Sequence, residues 1–113
     1  MNVQTRERLE QILRFATRIQ SSMKAETLED FLTDEDKQDA IMYRLGQIGE
    51  TASKISDEEQ EKYPKLFWRQ MIGLRHRLFH DYEKIDFTKV YTITQEPISQ
   101  LVENLESILN VEV

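Results

Sequence analysis

The sequence predicts an all-α domain, a bundle of four main helices joined by short connecting helices and turns, and three observations carry that reading. Only three Gly and two Pro interrupt 113 residues. No segment alternates apolar and polar residues for long, as a half-buried strand would. Apolar residues instead recur at spacings of three and four, which line one face of a helix. The length fits one domain, residues 1–113, with a single core.

The first helix is expected over Val3 to Met23, where Leu9, Ile12, Leu13, Ala16, Ile19 and Met23 form the stripe and Arg6, Arg8, Glu10, Arg14 and Arg18 lie mostly off it. A turn is expected around Thr27 to Leu32. Thr33, followed by Asp34, Glu35 and Asp36, reads as the start of the second helix, because a hydroxyl caps free amides and carboxylates suit the positive end of the helix dipole. That helix carries a narrow seam of Ile41, Leu45, Ile48, Ala52 and Ile55, and its Gly46 and Gly49 allow a neighbouring helix to approach closely. Ser56 and Glu59 read as a capping box for a brief helix ending before Pro64.

From about Leu66 the chain runs through Phe67, Trp68, Met71, Ile72, Leu74, Leu78 and Phe79. A helix apolar on so much of its circumference is expected to be central, with Phe67 and Trp68 in the core. Asp86 caps the last helical stretch, striped by Phe87, Val90, Tyr91, Ile93, Ile98, Leu101, Val102, Leu105, Ile108 and Leu109. Pro97 inside it removes a backbone donor and should kink or split it.

The formal charge of −6 argues against a protein that coats nucleic acid along its whole surface. Its distribution is more informative. Residues 1–64 carry a balance of −5 and residues 85–113 one of −4, whereas residues 65–84 carry +3 from Lys65, Arg69, Arg75, Arg77 and Lys84 against Asp81 and Glu83. Both histidines lie in that island. An acidic body with one basic island suits a confined phosphate site. The absence of Cys excludes disulfides and cysteine metal sites and fits the reducing cytoplasm. The polar N-terminus and short apolar runs predict neither a signal peptide nor a membrane span.

The chemistry concentrates in Leu74-Arg75-His76-Arg77-Leu78-Phe79-His80-Asp81-Tyr82. Arg75 and Tyr82 are seven apart and share a helical face; His76 and His80 are four apart and share another. Arg75 and His80 are five apart, so they diverge by about 140° on a regular helix. One ligand can meet both if the helix ends near His80 or if two chains each supply part of the site, and the second arrangement is favoured.

These residues resemble a known family. Arg-x-x-x-x-His with a polar follower is the pattern of HEPN domains, and the extension His-x-Tyr is that of HepT toxins; here the positions are Arg75, His76, His80 and Tyr82. The flanks Trp68-Arg69-Gln70-Met71-Ile72-Gly73 and Leu45-Gly46-Gln47-Ile48-Gly49-Glu50 are similar too, and the likeness spans nearly the whole chain. One departure is His76, which stands where HepT proteins often have Asn. The resemblance implies a HEPN-type four-helix bundle acting as a symmetric homodimer with its motifs facing across the axis. It also implies a metal-independent endoribonuclease toxin, needing no cofactor, whose RNA substrate meets Arg75 and His80, with His76, Arg77 and Arg69 as supporting contacts. The implied partner is an MntA-like minimal nucleotidyltransferase antitoxin that silences the toxin by transferring AMP to Tyr82.

Plainer readings stand beside these. Arg75 fits an interhelical ion pair, for example to Glu50. His76 and His80 at i and i+4 fit a metal, with Asp81 the nearest carboxylate in sequence. Tyr82 fits an ordinary helix end. A helical module that binds nucleotide or a transferase without cleaving RNA remains the main alternative, and a purely structural dimerisation domain a third.

Overall fold

The computed structural model describes residues 1–80 and 85–111, and the side chains of all of these except 76–80 and 111. Helix α1 spans Val3–Met23, α2 Leu28–Leu32, α3 Glu35–Ser53, α4 Asp57–Glu61, α5 Trp68–His80, α6 Phe87–Ile93 and α7 Glu96–Val111. The chain is all-α: no strand occurs among the described residues. None of these helices is long and apolar enough to cross a membrane.

The four long helices are α1, α3, α5 and α7. The closest packing joins α3 to α5, α1 to α3 and α1 to α7. The expected stripes meet along these contacts. Leu9, Ile12, Ala16 and Ile19 of α1 face Ile41, Leu45, Ile48 and Ala52 of α3 in one core, all fully buried. Burial of each Leu or Ile among them stabilises by about 1.5–3 kcal/mol before the loss of chain entropy is set against it. Leu13, at the edge of the stripe, is only half-buried.

Several local expectations need correction. The segment expected as a turn around Thr27 to Leu32 contains α2, closed at its start by a reciprocal pair. Asp30 N–H donates to the Thr27 hydroxyl at 3.1 Å, and Thr27 N–H donates to the Asp30 carboxylate at 3.4 Å. Phe31, fully buried, anchors this turn against the rings of Phe87 and Tyr91 on α6. Thr33 does not cap α3: it ends α2, its hydroxyl donating to the Glu29 and Asp30 carbonyls. Asp34 takes the cap, its carboxylate accepting from Lys37 N–H at 3.0 Å.

Ser56 does cap α4, accepting from Glu59 N–H at 3.2 Å. The Glu59 carboxylate turns away from the expected capping box and pairs through Oε2 with Lys62. Asp86 caps α6 through Thr88 and Lys89. Pro97 splits the last stretch: Thr94 and Gln95 form the break, and proline falls at the second position of α7, where a missing N–H has no intrahelical partner to lose.

The largest departure concerns α5. It packs closely on α3 and buries Met71 in the core, but not every apolar residue of this stretch is covered. Phe67 is 59% exposed, while Trp68 is half-buried, its Nε1–H donating to the Tyr63 carbonyl at 3.0 Å. Phe67 and Leu74 line an apolar groove of about 430 Å³ that separates α5 from Ile93, Pro97, Ile98 and Leu101 on α6 and α7. The apolar circumference of α5 therefore covers α3 on one side and this groove on another.

Candidate functional site

The close approach of α3 and α5 is built on Gly49. A Cβ placed there would lie 2.7 Å from both the Arg75 nitrogen and the Met71 carbonyl oxygen, backbone atoms that cannot swing aside. Only glycine permits this distance. It brings the next residue of α3, Glu50, level with Arg75 of α5. The Arg75 guanidinium donates through Nη1 to Glu50 Oε2 at 3.0 Å and to Ser53 Oγ at 3.3 Å. Ser53 in turn donates its own hydroxyl proton to the Glu50 carbonyl at 2.7 Å. That direction of donation leaves the serine lone pairs free to accept from arginine.

Glu50 and Ser53 are three apart on α3 and so share a face. The side chains of Arg75 and Glu50 are 46% and 38% exposed, so the guanidinium lies at the surface where a ligand can reach it. It carries a fixed positive charge and five N–H donors, two of them engaged on Nη1. The ion pair anticipated from the sequence is present. The sequence marks Ser53 only by its place one turn after Glu50.

Arg69 is exposed at the rim of the apolar groove, about 120° around α5 from Arg75 by helical geometry. The two do not form one cluster. His76, Arg77 and His80 belong to the helical backbone of α5, but their side chains lie outside the described residues. Because the backbone is helical through His80, the α-carbons of Arg75 and His80 stand about 140° apart around the axis. Tyr82 and Asp81 lie outside the described residues. Among the described residues no group of three or more His, Asp and Glu is arranged to hold a metal ion.

Residues 9–108, from the middle of α1 to near the end of α7, match the family described as ribonuclease HepT-like. The chain belongs to the HepT-like family. Among its relatives, a protein named "Probable ribonuclease HepT" from Thermococcus cleftensis is 31% identical over 80 residues, 71% of this chain and 73% of the relative. One named "Putative RNase" from Caldanaerobacter subterraneus subsp. tengcongensis is 28% identical over 104 residues, 92% of this chain and 93% of the relative. Another "Putative RNase", from Methanocaldococcus jannaschii, is 33% identical over 67 residues, 59% of this chain and 62% of the relative, so the match spans less than two thirds of that protein. No solved structure matches the chain. The HepT-like segment contains the whole of α5 and the Arg75-to-Tyr82 motif.

Proposed function

We propose that this protein is a metal-independent endoribonuclease, the toxin of a HepT/MntA-type pair, which cleaves RNA at a composite site between two copies of the chain. The observation that carries the reading is the Arg75-x-x-x-x-His80-x-Tyr82 motif within the matched segment of a ribonuclease-named family. Cleaving RNA without a metal requires a base for the ribose 2′-hydroxyl and cationic donors for the charge that grows on the phosphate. Imidazole titrates near neutrality, so His80 takes the 2′-hydroxyl proton as that oxygen attacks the adjacent phosphorus, and returns a proton to the departing 5′-oxygen. Arg75 stays protonated and holds the phosphate through two parallel N–H groups.

His76 and Arg77 add positive or polar contacts along the same helix, and Arg69 meets the chain of RNA further out. Transfer of AMP to the Tyr82 phenol by a minimal nucleotidyltransferase partner adds bulk and a negative charge two residues from His80, which blocks the site and opposes the substrate phosphate. The divergence of Arg75 from His80 supports a site shared by two protomers of a twofold homodimer.

The test is cleavage of a structured RNA by the purified protein and by His80→Ala, with binding measured in parallel. His80→Ala should abolish cleavage, remain folded and still bind the RNA. Cleavage at the wild-type rate by His80→Ala would sink the nuclease reading, and binding without cleavage by the wild type would favour the non-catalytic module. Co-expression with the transferase should raise the intact mass by whole AMP units, and Tyr82→Phe should lose them.

A further inference from the structure

Among the described residues, the pairing of Arg75 leaves one edge of its guanidinium without a partner. Among the described residues its contacts engage Nη1 only, one hydrogen directed to Glu50 Oε2 and the other to Ser53 Oγ. Nε–H and the two hydrogens of Nη2 remain. The Nε–Nη2 edge presents two parallel donors, the geometry that engages two oxygens of a phosphate at once. Two groups as exposed as Arg75 and Glu50 gain little stability from each other. A carboxylate beside a phosphate-binding cation also weakens its pull on an anion. Neither stability nor affinity explains the arrangement, whereas orientation does.

We infer that Glu50 and Ser53 of α3 are positioning residues, which grip Arg75 by Nη1 and hold its Nε–Nη2 edge toward the scissile phosphate. This rests on the nuclease reading for the identity of the ligand, but the grip itself is a property of the chain. An ungripped arginine samples many rotamers, and the fraction of encounters with the fork correctly aimed falls accordingly. Gly49 belongs to the same device, because it sets the helix separation at which the carboxylate reaches Nη1. Glu50 acts on the rate through Arg75 and takes no proton from the substrate.

Three variants test the inference, each in the otherwise intact chain. Glu50→Ala should lower kcat on the order of ten- to a hundred-fold with KM unchanged or lower, since the repelling charge is gone. Glu50→Gln keeps an oxygen that accepts from Nη1 and should retain most of kcat, also with an equal or lower KM. Ser53→Ala should fall between wild type and Glu50→Ala. If Glu50→Gln is as impaired as Glu50→Ala and the acid limb of the pH–rate profile disappears, Glu50 is a general base and the positioning role is wrong. If neither substitution moves kcat, the pair is merely a surface ion pair.

Nuclear magnetic resonance of the Arg75 guanidinium reads the grip without any catalysis. Distinct Nη1 and Nη2 signals are expected in wild type and Glu50→Gln, merging in Glu50→Ala as rotation is freed. Signals already merged in wild type would overturn the inference. Should the wild type cleave no RNA while its Nη signals stay distinct, the nuclease reading falls and the grip stands.

Discussion

Replacing Gly49 by Ala should destabilise the fold even though alanine is the better helix former. The added Cβ would sit 2.7 Å from Arg75 N and from Met71 O, and 3.0 Å from Arg75 Cβ, where ordinary contact begins at 3.4 Å. The first two atoms are α5 backbone, so relief requires the helices to part by up to about 0.7 Å along those contacts. Overpacking of this kind costs about 1–3 kcal/mol, and the gain in helix propensity offsets about 1 kcal/mol of it. A net loss of up to about 2 kcal/mol should lower Tm by up to roughly 10 °C in a chain of this size. Gly73 supplies the control, because a Cβ there meets nothing within 4 Å among the described residues. Gly73→Ala keeps the propensity gain alone and should raise Tm by a few degrees. Thermal melts followed by far-ultraviolet circular dichroism, at one protein concentration for all three proteins, decide the matter. A Gly49→Ala protein that melts as high as Gly73→Ala would refute the claim that this glycine sets the α3–α5 distance.

Stability should also fall on the acid side through Glu59, whose side chain is 8% exposed. The hydrogen bond from Lys62 holds its carboxyl below the ordinary range; burial opposes this, and Thr5 and the start of α1 assist, although Oε1 lacks a well-formed hydrogen bond. A depressed folded-state pKa contributes stability above the unfolded value and loses it as pH falls through the folded one, so Glu59→Gln should flatten the acid limb of a urea-stability profile. EDTA should leave RNA cleavage intact; complete loss, restored by zinc or manganese, would move the assignment to a His76–His80 metal site. Light scattering at micromolar concentration should give a dimer, and a monomer would contradict the shared site. Mixing Arg75→Ala with His80→Ala protein should restore about one quarter of wild-type activity, since random pairing makes half the dimers mixed and each mixed dimer holds one intact site of two. No recovery on mixing would place Arg75 and His80 of each site within one chain.

Where the sequence was legible, the signal was periodic and long. The α1 stripe from Leu9 to Met23 predicts Val3–Met23, and the helix has those bounds because Asn2 caps its start and the stripe finds α3. Pro97 marks the break between α6 and α7 because a missing N–H and a fixed φ act locally. Short elements give no such signal. At five residues α2 is shorter than two turns, and only the Thr27–Asp30 pair betrays it. Phe67 shows a different limit: periodicity reports that a side chain is apolar, not that a neighbour covers it. Glu59 has the spacing of a capping box, but a lysine one turn later competes for the carboxylate and wins.

Arg75 shows how far the site itself could be read. Its residue type and its spacing from His80 point to a phosphate, while its reach from α5 points to an ion pair with Glu50, and the sequence sets these against each other as rivals. They are not rivals in space. The pair occupies Nη1, and the Nε–Nη2 edge still offers a phosphate two parallel donors. Which nitrogen is engaged depends on the distance between α3 and α5 and on the rotamer that Glu50 and Ser53 select, and neither follows from residue spacing along one helix. The charge of the site was thus legible from one segment, whereas its orientation depends on a second helix brought close by a glycine.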